Sequence, residues 1–418
     1  MRLSSVSLRN YRSFEKVDFE LGDLNVLIGT NASGKSNIVS SLKLLRDYME
    51  YGLNDVIARQ GGPEYIFTKY SDQPEKETRL VFIFDHVAKS QLGPFEETNY
   101  TTQISKLKFD ITLKSISEQI KDRLILTSRI QVSSKKTNER KQEVDFIINY
   151  SEGRFTTSLR IVKGNKSKLV KKKQIIQDYY PFLDFLERQM KQSNAIEKRE
   201  TFLNSSMIFL NPRPDFAELG FYNFDPKVLK KPRELSYKAK LSEDGDNLAA
   251  VLNDAFQEKD RKKRIMLAFR SFYPAVKDIG VESSIGGSVI VRAEEEYRVK
   301  LKLPANFMSE GMLFVLMIIT AINQEDKKII VIEEPERYIH PSLIARLMNF
   351  FKSNSESKQI VITTHSPVVV ENTELDQILV LDRKKDTGVT TIRGPKDNID
   401  QQLIDEIGLG ELFDNNLI

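Results

Sequence analysis

Eight consecutive residues carry the most specific chemistry in this chain: Gly29, Thr30, Asn31, Ala32, Ser33, Gly34, Lys35 and Ser36. They fit the P-loop pattern G-x-x-x-x-G-K-[ST] at every fixed position. Glycines let the backbone curl so that its N–H groups turn toward phosphate oxygens. The helix N-terminus that follows adds a favourable dipole. Gly29, Asn31, Ala32, Ser33, Gly34, Lys35, Ser36 and Asn37 are therefore the expected cradle for the phosphates of ATP. Lys35 is expected to reach the β- and γ-phosphates, and the Ser36 hydroxyl to ligate Mg²⁺.

Two further stretches fit the same chemistry. Residues 329–332 are apolar and run into Glu333-Glu334-Pro335-Glu336, a Walker B pattern. Alone, such an acidic strand end usually faces solvent. Beside a P-loop, Glu333 is expected to hold Mg²⁺ through water, and Glu334 to orient and polarise the attacking water. A second apolar run, 360–363, ends in Thr364-His365-Ser366-Pro367. An imidazole there can hydrogen-bond the γ-phosphate and sense its loss. The catalytic set is thus Lys35, Glu334 and His365. His340, before Pro341, reads as structural or as a subunit contact, and His86 has no constellation around it. Ser309-Glu310-Gly311 reads by itself as an ordinary helix cap. Its position, one helix length before the Glu-Glu strand, makes it informative.

The elements that must position these residues follow from periodicity. Residues 24–28 read as a buried strand before the P-loop. Residues 37–49 read as a helix with Ile38, Leu42, Leu45 and Met49 on one face. Strands are expected over 3–9, 17–21 and 80–84. Leu107, Phe109, Ile111 and Leu113 alternate with polar residues, a half-buried strand. Similar strands are expected over 124–132, 144–150 and 155–162, a helix over 180–190, and a core strand over 207–210. Asp246 or Asn247 is placed to cap a helix carrying Leu248, Val251, Leu252 and Ala255. Helix over 265–272 and strands over 289–291 and 297–303 follow. The strands at 329–332, 360–363 and 378–381 alternate with helices, the pattern of a parallel sheet covered by helices. The expected division is 1–90 and 201–418 as two parts of one ATPase domain, with 91–200 as an inserted, strand-rich arm.

Bulk composition narrows the class. The 418 residues carry 63 basic and 59 acidic side chains, a net charge of +4 that does not by itself argue for nucleic acid. With no cysteine, disulfides, thiolate zinc sites and thiol catalysis are excluded. The N-terminus lacks an apolar signal core. The longest apolar run, 312–322, falls short of the roughly 20 residues that span a bilayer. These observations lead to the expectation of a cytoplasmic protein without a membrane partner.

Together the motifs resemble the RecF/SMC-like branch of ABC-type ATPases. More closely, the chain is similar to stand-alone ATPases related to the ATPase half of OLD nucleases. The matching pieces are Leu8-Arg9-Asn10-Tyr11-Arg12-Ser13-Phe14, the P-loop, the stretch from Leu241 to Leu248, Ser309-Glu310-Gly311, Glu333 to Glu336 with His340-Pro341, Thr364 to Pro367, and the tail Gly408-Leu409-Gly410-Glu411-Leu412. The resemblance covers roughly residues 1–70 and 200–418. It implies an α/β, ABC-type P-loop ATPase domain with a strand-rich α+β insertion. It also implies that Ser309 and Gly311 match the signature, which contacts the γ-phosphate bound by another protomer. By the same resemblance Arg12 lies near the nucleotide, and Glu336 and Arg337 fall in the D-loop at a dimer interface. Glu333 stands where aspartate is commoner, and Gln60 is a candidate for the Q-loop glutamine.

The expected activity is Mg²⁺-dependent ATP hydrolysis coupled to dimerisation. It would drive a DNA-associated system, either antiphage defence with a nuclease or effector partner or stand-alone RecF-like repair. A complete OLD-type nuclease would need a Toprim domain after the His365 strand, and the remaining stretch is too short for one. A transporter subunit fits poorly with Tyr-Arg-Ser-Phe and Glu-Glu-Pro-Glu. Between residues 158 and 174 lie Arg160, Lys163, Lys166, Lys168, Lys171, Lys172 and Lys173 with no acid between them. This run is either a DNA contact or a solvated loop.

Overall fold

The computed structural model describes residues 2–67, 77–85, 100–116, 119–134, 142–151, 154–163, 218–230, 233–234, 240–283, 287–297, 302–395, 401–415 and 417. The expected helix over 180–190, the expected strand over 207–210, His86 and Lys166 to Lys173 lie outside them.

In chain order the first elements are β1 (Arg2–Tyr11), β2 (Phe14–Glu20), β3 (Leu24–Ile28), α1 (Lys35–Glu50) and α2 (Leu53–Arg59). Then come β4 (Glu77–Asp85), β5 (Tyr100–Ile116), β6 (Gln119–Ser134), β7 (Gln142–Ser151) and β8 (Arg154–Lys163). The second half opens with β9 (Leu219–Tyr222), β10 (Arg233–Glu234), α3 (Leu248–Ala255), α4 (Lys259–Phe272), β11 (Val276–Ser283), β12 (Ser288–Glu295) and β13 (Lys302–Pro304). It closes with α5 (Glu310–Ile322), β14 (Ile329–Glu333), α6 (Ile344–Ser355), β15 (Gln359–Thr364), α7 (Pro367–Glu371), β16 (Ile378–Arg383), β17 (Thr390–Arg393), α8 (Gln401–Ile407) and α9 (Leu409–Asp414).

The chain divides into two compact units. One comprises Met1–Leu21, Ser40–Phe216 and Lys384–Thr391; the other comprises Gly22–Val39, Ala217–Arg383 and Ile392–Ile418. The first is built on a seven-stranded sheet in the order β2-β1-β4-β5-β6-β7-β8. Its neighbouring strands pair antiparallel, and side chains alternate between faces. Leu80, Phe82 and Phe84 of β4 lie opposite Ile111, Phe109 and Leu107 of β5, and all six are fully buried. Phe84 and Phe109 meet edge to face, with ring centroids 5.8 Å apart. The strands expected in the arm therefore continue the sheet begun by β1 and β4 and share its compact unit.

The opposite face of that sheet holds Asp110, which is only 3% exposed. Its carboxylate accepts from Arg79 Nε at 2.7 Å and Nη2 at 2.6 Å, and pairs with Lys108 Nζ at 3.0 Å. Burial alone would raise its pKa, but the hydrogen bonds from Arg79 and Lys108 outweigh burial and hold it below the ordinary value.

The second unit carries the sheet β17-β16-β3-β15-β14-β9. Its central pairs, β16 with β3, β3 with β15, β15 with β14 and β14 with β9, are parallel. Strands buried on both faces read as continuous apolar runs, which is why 329–332 and 360–363 stood out in the sequence. A polar residue within β3 is Asn25, buried yet satisfied. Its amide exchanges hydrogen bonds with the Gly22 backbone at 2.7 and 2.9 Å and donates to the Ile360 carbonyl at 3.3 Å.

Helix α5 is apolar all round, and its residues 313–322 are buried. Thr320 fits there because its hydroxyl donates to the Leu316 carbonyl at 2.7 Å. Each fully buried leucine, isoleucine or phenylalanine of this helix contributes about 1.5–3 kcal/mol relative to exposure. A smaller antiparallel sheet, β10-β12-β11 with β13 on β12, belongs to the same unit. Residue 297 forms a turn rather than the start of a strand.

One expectation is corrected. Asn247 stands at the N-cap position of α3, but its side chain does not cap the helix. Its Oδ1 accepts from Ser242 N–H at 2.9 Å and its Nδ2 donates to the Lys240 carbonyl at 2.7 Å. The loop's own backbone groups compete for the amide and win it. Asp246 is likewise engaged, accepting from the Ser242 hydroxyl at 2.7 Å.

The Asp110 cluster yields a pH prediction. A carboxyl with a depressed folded pKa stabilises above its unfolded value, near 3.8, and loses that contribution as pH falls through the folded value. Asp110→Asn should therefore cost about 1–3 kcal/mol at neutral pH. In urea unfolding the gap to wild type should close in strong acid. A gap independent of pH would contradict the assignment.

Candidate nucleotide-binding site

The parallel register places the motif ends side by side. Thr364 pairs with Ile28, and Thr363 pairs with Glu333. Gly29 and His365 are therefore the next residues beyond one pair, and Glu334 and Thr364 beyond the other. Strand β15 lies between β3 and β14, so the P-loop, the His365 turn and the Glu333-Glu334 turn leave the same edge of the sheet. Ligands of open α/β sheets bind outside the carboxyl ends of the strands.

The P-loop backbone is shaped for an anion. Gly29 has φ +151°, and a Cβ there would lie 2.4 Å from the Leu381 carbonyl. Ala32 and Gly34 have φ of 62° and 110°, left-handed residues on either side of Ser33. Such alternation turns successive N–H groups into one concavity. Lys35 is only 8% exposed, and its Nζ donates to the carbonyls of Gly29 at 2.5 Å and Thr30 at 3.0 Å. Among the described residues no carboxylate comes within ion-pair distance of it. Burial depresses its pKa, and the more distant Glu334 and Glu336 only partly offset that. A buried ammonium without an anion is costly, so phosphate fits this place.

Ser36 Oγ donates to Glu333 Oε2 at 3.3 Å. A hydroxyl and a carboxylate brought together beside a phosphate cradle are the oxygen donors that suit Mg²⁺, which takes few protein ligands when it also binds phosphate. No cluster of three or more His, Cys, Asp or Glu residues among the described residues forms an all-protein metal cage. Asn31, Ala32 and Ser36 are exposed, Ser33 is buried, and Asn37 is partly buried.

Glu334 adopts φ 47°, a left-handed conformation that a side chain rarely takes without constraint. Its N–H donates to the Thr363 carbonyl at 2.9 Å, which holds the turn. Its Oε2 accepts from Arg337 Nε at 3.0 Å and Nη2 at 2.7 Å, and its Oε1 lies 3.5 Å from His365 Nδ1. Arg337 also reaches Asn223 Oδ1 at 3.3 Å. His365 is half exposed. Glu336, expected in a D-loop, turns onto Thr364, whose hydroxyl donates to its Oε1 at 2.5 Å. Burial pushes its carboxyl above the ordinary range, while the Thr364 hydrogen bond and nearby His365 pull it back.

Ser309 caps α5 as its type suggests, its Oγ accepting from Met312 N–H at 3.2 Å. Gly311 has a reason the sequence did not show: a Cβ there would lie 2.8 Å from the Tyr338 carbonyl. Among the described residues neither Ser309 nor Gly311 hydrogen-bonds to the P-loop. Arg12 belongs to the other compact unit. There it has φ 51° and donates through Nη2 to Gln60 Oε1 at 2.7 Å. The same amide oxygen accepts from Ser40 Oγ at 2.7 Å. Gln60, the Q-loop candidate, is thus engaged by Arg12 and Ser40. Sequence reading missed Asn223, which carries no motif signal, and missed the contact of Thr364 with Glu336, although Thr364 itself opens the Thr-His-Ser-Pro stretch. It also missed Arg383, whose Nη1 approaches the Ala32 carbonyl at 3.5 Å.

Comparison with known proteins agrees with this geometry. The family model AAA_21, described as "AAA domain, putative AbiEii toxin, Type IV TA system", matches residues 24–371. The chain is 38% identical over 56 residues to Endonuclease GajA of Bacillus cereus (strain VD045), which covers 13% of this chain and 10% of the relative. It is 26% identical over 158 residues to the DNA replication and repair protein RecF of Staphylococcus haemolyticus (strain JCSC1435), covering 33% of this chain and 40% of the relative. The chain thus spans well under two thirds of either relative. The solved structure of the SmcHead bound to the C-winged helix domain of ScpA has the same fold, with TM-score 0.50 and 13% identity over 94% of this chain and 98% of that one. The fold is that of an ABC-type P-loop ATPase of RecF/SMC type. No helix among the described residues is long and apolar enough to cross a membrane.

The Gly311 contact can be tested directly. Gly311→Ala must move either the start of α5 or the Tyr338 backbone, at a cost of about 1–3 kcal/mol. Gly394→Ala, where no atom lies within 4 Å of the added Cβ, should leave the urea midpoint nearly unchanged. Equal midpoints for both variants would show that the Tyr338 carbonyl yields freely.

Proposed function

The chain belongs to the AAA_21 family, and we propose that it binds and hydrolyses ATP with Mg²⁺, pairing two copies around the nucleotide. The observation that carries this reading is the buried Lys35 ammonium, held among left-handed P-loop residues with no carboxylate of the described residues in ion-pair contact. The P-loop N–H groups and Lys35 hold the β- and γ-phosphates. Ser36 and Glu333 hold the metal ion, which when bound neutralises charge developing on the phosphate oxygens. Glu334 orients the attacking water and takes its proton. His365, beside Glu334, hydrogen-bonds the γ-phosphate. Ser309 and Gly311 complete the site of a second copy, and Arg12 lies near the nucleotide.

The biological setting we favour is a DNA-associated system with a nuclease or effector partner, in antiphage defence. The likeness to a protein named as an endonuclease and the family description support it. A RecF-like role in DNA repair is the second reading, supported by the RecF relative. In both, the two-copy unit is the moving part and the location is cytoplasmic.

Lys35→Ala should abolish ATP binding, read with a fluorescent ATP analogue. Glu334→Gln should bind ATP but hydrolyse it roughly 10²–10⁴-fold more slowly. Light scattering of Glu334→Gln should show mass doubling when ATP is added. Hydrolysis at the wild-type rate in Glu334→Gln would remove the general-base role. A mass that stays monomeric with ATP would remove the paired mechanism.

A further inference from the structure

Glu336 stands two residues beyond Glu334, yet it joins neither the metal pair nor an ion pair among the described residues. Its Oε1 accepts from the Thr364 hydroxyl at 2.5 Å, while its Oε2 is buried and has no hydrogen-bond partner among the described residues. Buried carboxylate oxygens rarely lack partners, and each case calls for an explanation. Thr364 is fully buried, and its Oγ1 also accepts from Ser366 N–H at 3.0 Å. One carboxylate is therefore linked, through a single hydroxyl, to the residues on both sides of His365. On the preceding side, the Thr363 carbonyl accepts from Glu334 N–H at 2.9 Å. The His365 imidazole itself is half exposed and lies 3.5 Å from Glu334. Its own contacts are too few to fix it, so its position depends on the backbone that carries it.

We propose that Glu336, acting through Thr364, is a positioning residue that sets His365 against Glu334 for ATP hydrolysis. This rests on the reading that ATP is hydrolysed at this site. The hydroxyl of Thr364 works in both directions, donating to Glu336 and accepting from Ser366. Valine keeps the size of threonine and loses both hydrogen bonds, whereas serine keeps both. Glutamine at position 336 keeps the acceptor oxygen, whereas methionine removes it.

The chain has three histidines, so ¹³C-histidine labelling of the whole protein gives a spectrum in which His365 is identified by its loss in His365→Gln. Without nucleotide, Thr364→Val and Glu336→Met should each move the His365 ring signal. Thr364→Ser and Glu336→Gln should leave it at the wild-type position. With ATP, the first pair should lose roughly tenfold in kcat, and KM should stay within about twofold. A His365 signal unmoved in Thr364→Val overturns the proposal, even where Glu336→Met does not fold. A moved signal with unchanged kcat overturns it too, because the position of His365 would then not matter to the reaction. A wild type that hydrolyses no ATP instead sinks the ATPase reading, while the nucleotide-free spectrum still decides whether the brace exists.

Discussion

Everything at the candidate site depends on the parallel pairing of β3, β15 and β14. The P-loop and the Glu333-Glu334 turn are some 300 residues apart in the chain (Ser36 and Glu333 meet across 297 positions). Hydrogen bonds between buried strands set their relative height to within one residue. A slip of one residue would turn every side chain to the opposite face and carry the functional turns out of line. Asn25 adds a polar pin. Its amide is satisfied only while β3 lies beside Ile360.

On that platform the charges are arranged with unequal compensation. Glu334 has two partners, Arg337 on one oxygen and His365 near the other. Glu333 has the Ser36 hydroxyl. Among the described residues Lys35 has only backbone carbonyls. A guanidinium pair in a half-exposed place is cheap to keep, whereas an ammonium buried without an anion is not. The local imbalance is positive at the P-loop, where phosphate would come, and negative at the strand ends facing it. Strain follows the same plan. Ala32 and Glu334 are two of the four described non-glycine residues at positive φ, and both stand at the site. Left-handed backbone persists where the surroundings determine it, here through the sheet edge and the Thr363 carbonyl.

Much of this was legible in the sequence. The P-loop, the Glu-Glu strand end, the histidine strand end and the Ser309 cap follow from residue types whose chemistry acts locally. A glycine turn, an apolar run or a serine before a helix needs only its neighbours. Strands β3, β14, β15 and β16 also showed, because continuous burial leaves apolar runs in the chain, whereas the short β9 and β17 did not. The side chain of Asn247 was misjudged for a related reason. It has the right type for a cap, but the competing Ser242 N–H and Lys240 carbonyl are presented by a loop whose path no local rule dictates.

Residue identity alone therefore determined the chemistry available and the elements that bear it: phosphate cradle, carboxylates, imidazole, apolar strands. Tertiary structure decided which of these meet. Asn223 reaches Arg337 across 114 positions, and Thr364 reaches Glu336 across 28. Neither asparagine nor threonine announces such a contact, because a hydroxyl or an amide is common at any turn. Gly311 is needed because the Tyr338 carbonyl lies against it, a steric fact that exists only once α5 has packed. Glu336 was read as an interface residue by its place in a motif. The fold adds a contact that the motif did not announce, because the parallel register leaves Thr364 beside the turn that carries Glu336.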